Sequence, residues 1–235
     1  GTSPGATFWP LPGTIRADWG LSALNVNDQF TASVIYQLPF GKGKKFGNNW
    51  SGPTNTIFGG WEAQVIERAI SGFPLFIVNS NNGSGANFQW NGSSLNRPNL
   101  VGDPNRPGPV AANPGCVAPS QLHVAGGAWF NPCAFVQVPV GELGNAPRAP
   151  VSGPNYINTD FSLIKHIAVT ERTMLDFRAE FFNLWNHPHL YLPGSPGVSN
   201  MQDINAPGSF GLANATVNNL AGDSRVIQFA LKLVF

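Results

Sequence analysis

Asp176, Arg178 and Glu180 stand two residues apart, the spacing at which side chains of an extended strand share a face. Three ionisable groups of both signs on one face could move protons, or could simply balance one another. The acid–base pairs on offer are Asp176 with Glu180 and Asp176 with Glu171. Asp176 and Glu180 would lie about 13 Å apart along a strand rising ~3.3 Å per residue. Paired glycosidase carboxylates need roughly 5–9.5 Å. Arg178 between them reads as a charge-balancing partner. The chain has no Gly-x-Ser-x-Gly elbow, His-Glu-x-x-His helix or dinucleotide loop. No catalytic or cofactor-binding residue is therefore assigned, and a hydrolase on a β scaffold is a remote reading.

Gly41-Lys42-Gly43-Lys44-Lys45 suggests a phosphate loop, but the Walker spacing and its following Ser or Thr are missing. A solvated hairpin connection fits better. His187 and His189 flank Pro188 with no carboxylate or cysteine near, a poor metal site. Cys116 and Cys133 are the two cysteines, in loop-like sequence; an oxidising compartment would allow a disulfide, and two free thiols are the alternative. Asn82 and Asn91, each followed by Gly-Ser, match glycan acceptors formally but read as turns.

The elements that would carry these residues alternate with a period of two. In 173–187, Leu175, Phe177, Ala179 and Phe181 alternate with Asp176, Arg178 and Glu180. In 225–235, Ile227, Phe229, Leu231, Leu233 and Phe235 alternate with Gln228, Ala230 and Lys232. Phe30 to Leu38 and Ile157 to Val169 repeat the pattern, Lys165 being the exception on its apolar side; long lysines can snorkel to an interface. The stretch 58–79 reads as one long strand bent or bulged near Ser71 to Pro74, though two shorter strands also fit. This predicts an all-β, antiparallel up-and-down meander of about five long strands. Residues 80–155 lack sustained periodicity and read as a long surface loop or disorder, with a short strand at Val136 to Val140. A second loop covers 193–223.

Composition limits the partners. Charged residues make up 11% of the chain and the formal net charge is +1, against about 25% charged in ordinary soluble domains. Neutrality argues against nucleic acid. No apolar run reaches the roughly 18 residues of a membrane helix. There are 27 glycines and 21 prolines, crowded between the patterned segments. Gly1 to Ala6 lacks the basic start and apolar core of a leader, so a leader was removed or the chain is a piece of something longer.

Periodicity alone fits a half-buried soluble sheet, the commoner case, or a barrel wall. Strands of roughly 9–11 residues suit a membrane, and aromatics from Leu184 to Tyr191 gather where a strand ends, as at a bilayer border. With the carboxyl end at the periplasmic rim, 80–155 and 193–223 become outer loops and 40–57 and 170–172 inner connections. Five strands are too few to close a membrane barrel, so the sheet would be part of a larger one.

Several blocks carry a family resemblance: Leu38-Pro39-Phe40-Gly41-Lys42-Gly43, Gly59-Gly60-Trp61 through Ser71-Gly72-Phe73-Pro74, and Trp129-Phe130-Asn131-Pro132 with Ala134-Phe135. Gly144-Asn145-Ala146, Asp160 to Asn183 with His187-Pro188, and Arg225 to Phe235 continue it. The chain resembles the carboxyl-terminal part of TonB-dependent outer-membrane receptors of the Oar-like acidobacterial group. The resemblance implies a partial segment of a large transmembrane β-barrel in the bacterial outer membrane, serving uptake of an unidentified ligand. Asp176, Arg178, Glu180, Gln228 and Lys232 would face the lumen. Leu175, Phe177, Phe181, Ile227, Phe229, Leu231, Leu233 and Phe235 would face lipid. Implied partners are outer-membrane lipid, the rest of the barrel and its plug, the TonB complex through that plug, and the barrel-assembly machinery through Phe235. A soluble or surface-exposed β-rich binding or adhesion module is the alternative.

Overall fold

Alternating side chains build the largest sheet. The computed structural model describes residues 19–22, 24–80, 89–90, 93–94, 97–139, 142, 144–191, 201–213, 215–216 and 224–235. In chain order the elements are β1 (Gln29–Gln37), α1 (Gly52–Phe58), β2 (Trp61–Ile70), β3 (Pro74–Val78), β4 (Gln89–Trp90), β5 (Ser93–Ser94) and β6 (Asn99–Leu100). There follow β7 (Phe135–Val136), β8 (Val151–Ser152), β9 (Tyr156–Ala168), β10 (Met174–Phe182), β11 (Leu190–Tyr191), β12 (Met201–Asp203), β13 (Ala215–Thr216) and β14 (Val226–Val234). The chain divides into two compact units.

One unit, 28–70, 156–189 and 218–235, holds a five-stranded antiparallel sheet in the order β1-β2-β9-β10-β14. Sheet order follows chain order, so the predicted all-β up-and-down meander is what forms. The sheet is open: it does not close into a barrel. Its strands end where the backbone must turn left-handed. Asn183 has φ 51° just after β10, so that strand stops at Phe182 and not near residue 187 as the pattern suggested. The Asn183 side chain then closes the turn, donating to the His187 carbonyl and accepting from the His187 N–H, both at 2.9 Å. The 40–57 connection is more than a hairpin loop, because α1 lies in it. That helix is seven residues long and buries none of them, so it left no apolar periodicity to find.

The other unit gathers 1–27, 71–155 and 190–217. Here the reading of 58–79 as one strand is corrected. β2 belongs to the five-stranded sheet, whereas β3 pairs parallel with β12 and antiparallel with β8. All five residues of β3, Pro74-Leu75-Phe76-Ile77-Val78, are buried; a strand covered on both sides has no reason to alternate. The break falls at Gly72, where a Cβ would collide with the Gly153 carbonyl oxygen. Of the short strand read at 136–140, β7 (Phe135–Val136, paired with β6) is formed, 137–139 are not strand, and residue 140 lies outside the described residues.

The stretch 80–155 is thus no featureless loop. It contributes Phe130, Ala134, Phe135, Ala146 and Val151 to a core that also holds Leu75, Ile77, Phe210 and Ala213. The rings of Phe130, Phe135 and Phe210 meet edge to face, with centroids 5.2–5.9 Å apart, a favourable arrangement for aromatic quadrupoles. Such packing joins residues about 80 apart in sequence and leaves no local period. The expected turns at Asn82 and Asn91 lie outside the described residues, as does part of the 193–223 loop.

Candidate functional site

Directly paired residues in an antiparallel sheet share a face, so the register sorts the side chains. One face carries Leu175, Phe177, Ala179 and Phe181 of β10 opposite Leu233, Leu231, Phe229 and Ile227 of β14. On the same face β9 presents Ile167, Lys165, Leu163 and Phe161. β2 and β1 extend it with Ala63 and Val65, then Tyr36 and Val34. The apolar set therefore forms one continuous surface over five strands. Phe235, just beyond β14, is almost fully exposed.

The opposite face carries the charged residues, with Ile35, Ile66 and Ile164 set among them. Asp176 lies opposite Lys232, and Glu180 opposite Gln228. His166 Nδ1 stands 2.7 Å from Asp176 Oδ1, and its Nε2 stands 4.0 Å from Glu62 Oε2. Arg178 Nη1 lies 3.7 Å from Glu180 Oε1. Gln64 donates to Glu62 at 2.8 Å. Glu62, His166, Asp176 and Lys232 thus form a row across four strands, of alternating sign when His166 is protonated. Asp176 and Glu180, the candidate acid–base pair, engage different partners, His166 and Arg178. The row balances charge along a polar wall.

Sequence reasoning placed Asp176, Arg178, Glu180, Gln228 and Lys232 on this face but missed Glu62 and His166. The signal was present: His166 sits on the opposite parity from Phe161, Leu163 and Ile167, and Glu62 alternates with Trp61 and Ala63.

The other candidates settle elsewhere. His189 is buried, stacked on Tyr156 at 4.3 Å, with Nε2 3.1 Å from the Ile157 carbonyl. Among the described residues no cluster of His, Cys, Asp or Glu is arranged to hold a metal ion. Cys116 and Cys133 are bonded to each other, with Cα atoms 5.6 Å apart. The Gly41–Lys45 turn is closed by a bridge between Phe40 and Phe46, whose rings lie 5.7 Å apart.

A family model described as "Outer membrane beta barrel domain" matches residues 2–228. The chain belongs to this family. It is an outer-membrane β-barrel protein of bacteria, and the open five-stranded sheet is a stretch of barrel architecture. No curated protein and no solved structure matches the chain. In an outer-membrane barrel domain the alternation has a physical cause. Hydrocarbon forbids unpaired backbone groups, so strands cross as a paired sheet, and each strand then shows successive residues to opposite surroundings.

Proposed function

We propose that this outer-membrane barrel protein is the carboxyl-terminal part of a TonB-dependent receptor of the Oar-like acidobacterial group, engaged in uptake of a ligand from outside the cell. The observation that carries the reading is what lies between the strands. Residues 1–27 precede β1, 71–155 join β2 to β9, and 190–217 lie between β10 and β14. In an antiparallel meander these segments all attach at one end of the strands. The other end has the 38–60 connection, the 169–173 turn and the end of β14. Long extracellular loops and short periplasmic turns are the asymmetry of such barrels, and loops that build their own core suit ligand capture at a wide, plugged barrel of about 22 strands. The motif blocks named above support the same family.

In this reading the apolar face, with Leu175, Phe177, Phe181, Ile227, Phe229, Leu231 and Leu233, meets outer-membrane lipid. Asp176, Arg178, Glu180, Gln228 and Lys232, joined by Glu62 and His166, line the lumen against the plug. Phe235 is the residue offered to the barrel-assembly machinery, and the TonB complex acts through the plug. The test is the intact polypeptide taken from outer membranes and sequenced by mass spectrometry. A plug and a TonB box should precede this stretch, and uptake should stop when the proton gradient is collapsed. A mature polypeptide without a plug would overturn the receptor reading while leaving the barrel family intact.

A further inference from the structure

The 38–60 connection joins β1 to β2 and holds Lys42, Lys44 and Lys45 with no aspartate or glutamate. Its backbone is tied down. The Lys44 N–H donates to the Gly41 carbonyl at 3.0 Å, and the Phe46 N–H to the Pro39 carbonyl at 2.9 Å, which shapes the lysine turn. Asn55 of α1 fastens that turn to the helix, its Oδ1 accepting from the Lys42 N–H at 2.7 Å. Gly41, at φ 118°, permits the approach, since a Cβ there would strike the Gly59 Cα. The lysine turn and α1 therefore form one body with a fixed surface.

That surface is cationic and apolar at once. All three lysines are exposed. Lys44 Nζ donates to Gln37 Oε1 at 3.1 Å, and Lys45 Nζ lies over the Phe46 ring, 5.5 Å from its centroid, so neither partner carries a negative charge. The ion pairs among the described residues include none of these lysines. Beside them Phe40, Phe46, Ile57 and Phe58 are exposed, the last two by more than half. An exposed apolar patch rimmed by charge marks an interaction surface.

The occupant follows from where the connection is attached. Trp61 and Lys165 are directly paired on the apolar face of the five-stranded sheet. Trp61 Nε1 donates to the Ile57 carbonyl at 3.0 Å, and Lys165 Nζ donates to the Gly59 carbonyl. The patch thus continues the apolar face at the end of its strands. In a barrel wall such a face meets acyl chains, and headgroups lie at its border. There the rings and lysine stems stay in the apolar layer while the ammonium groups reach phosphate. Cations without carboxylate partners draw anionic headgroups above neutral ones.

We propose that the 38–60 connection is a docking surface for anionic phospholipid. Phe40, Phe46, Ile57 and Phe58 seat among the upper acyl chains, and Lys42, Lys44 and Lys45 hold the headgroup phosphates. The inference rests on the lipid-facing sense of the apolar face and not on ligand uptake.

The test is native mass spectrometry of the protein purified from outer membranes and offered equimolar phosphatidylglycerol and phosphatidylcholine in mixed micelles. The wild type should retain phosphatidylglycerol in preference. The triple variant Lys42→Gln, Lys44→Gln, Lys45→Gln should lose that preference roughly tenfold. Lys232→Gln, on the opposite face of the sheet, should keep it. Equal retention of the two lipids by the wild type, or an unchanged preference in the triple variant, would overturn the proposal while leaving the lipid-facing assignment intact. Retention of neither lipid would overturn both. A protein that copurifies with the wild type and not with the triple variant, without any lipid preference, would give the surface to a protein partner and end the lipid proposal. Lysine acetylation in vesicles gives a second measurement that needs no variant. Lys42, Lys44 and Lys45 should react roughly tenfold more slowly in phosphatidylglycerol vesicles than in phosphatidylcholine vesicles at equal ionic strength, and equal rates in the two would also count against the docking surface.

Discussion

Thr159 donates its hydroxyl to Glu67 across neighbouring strands, 2.6 Å from Oγ1 to Oε2, on the face of the sheet that is otherwise apolar. Trp185 Nε1 donates to the same hydroxyl at 3.0 Å. Further along β9 the second polar exception, Lys165, is buried; its Nζ donates to the Gly59 carbonyl and lies over the Trp61 ring, 5.4 Å from the centroid. Both exceptions on β9 are thus satisfied, and each keeps a tryptophan. Thr159 and Lys165 stand about 20 Å apart along the strand at ~3.3 Å per residue. Polar groups with aromatic companions, separated by Phe161 and Leu163, are what the two borders of a hydrocarbon layer select.

If that face meets lipid, Leu231→Arg places a charge between the borders. It should cost about 2–4 kcal/mol, the depth-dependent price at a barrel midplane. Lys232→Gln, one residue along on the polar face, should stay within about 0.5 kcal/mol. Urea unfolding of the protein in lipid vesicles, followed by tryptophan fluorescence, measures both. Equal costs would show that the two faces do not meet different surroundings.

Asn131 is buried, and its side chain is fully engaged. Its Nδ2 donates to the carbonyls of Arg106 and Gly108, each at 2.9 Å, and its Oδ1 accepts from the Cys133 N–H at 3.1 Å. Asn131→Ala leaves two carbonyls and one N–H without that partner. At about 1–3 kcal/mol for each buried group left unmet, the loss should be large. Limited proteolysis should show new cuts within 97–139, and unchanged cutting would contradict the role assigned to this side chain.

Residues such as Asn131 explain how much of the fold was legible. The sheet was readable because its order is local: β9 and β10 are neighbours in sequence, and Phe177 and Phe181 announce their face by alternation alone. The other unit is held by contacts between distant residues. Asn79 donates to Gln137 at 2.7 Å, Gln137 to Asn205 at 2.7 Å, and Asn205 back to Asn79 at 2.8 Å, closing a ring of amides from three separate segments. No window of sequence contains that ring. The same holds for the polar face, where His166 meets Asp176 through a register that only the paired strands reveal. The motif blocks pointed to a family, and the coordinates supply their physical meaning. In Gly144-Asn145-Ala146, for instance, Asn145 Oδ1 accepts from the Leu100 N–H at 2.7 Å while its own N–H donates to Asn99 Oδ1 at 3.1 Å.

The bond between Cys116 and Cys133 closes a loop of 17 positions in the unit that lacks long strands. Constraining the unfolded chain over such a loop stabilises by about 3 kcal/mol in the chain-entropy account. Cys133 is fully buried beside the aromatic core, whereas Cys116 is only half-buried. Cys116→Ser with Cys133→Ser should therefore lower stability by about 2–4 kcal/mol. Proteolytic cuts should concentrate in 97–139. Cuts spread evenly over β9, β10 and β14 would show that the bond's effect is not local.

Gly72 lies at the break between β2, which ends at Ile70, and β3, which begins at Pro74. Its N–H donates to Asn155 Oδ1 at 3.2 Å, and a Cβ on it would strike the Gly153 carbonyl oxygen, which is backbone and cannot swing aside. Gly153 is itself fixed, since its N–H donates to the Phe73 carbonyl at 2.8 Å. Gly72→Ala must therefore push apart the two chain segments that enter β3 and leave β8, and overpacking of this kind costs roughly 1–3 kcal/mol. Gly115→Ala is the control, because a Cβ there meets nothing within 4 Å. The comparison is made by thermal unfolding with proteolysis as readout. A loss at Gly72 and none at Gly115 is expected; no loss at Gly72 would mean that β2 and β3 can run on as one strand, and that the fully buried Pro74-Leu75-Phe76-Ile77-Val78 run does not need this break to reach its core.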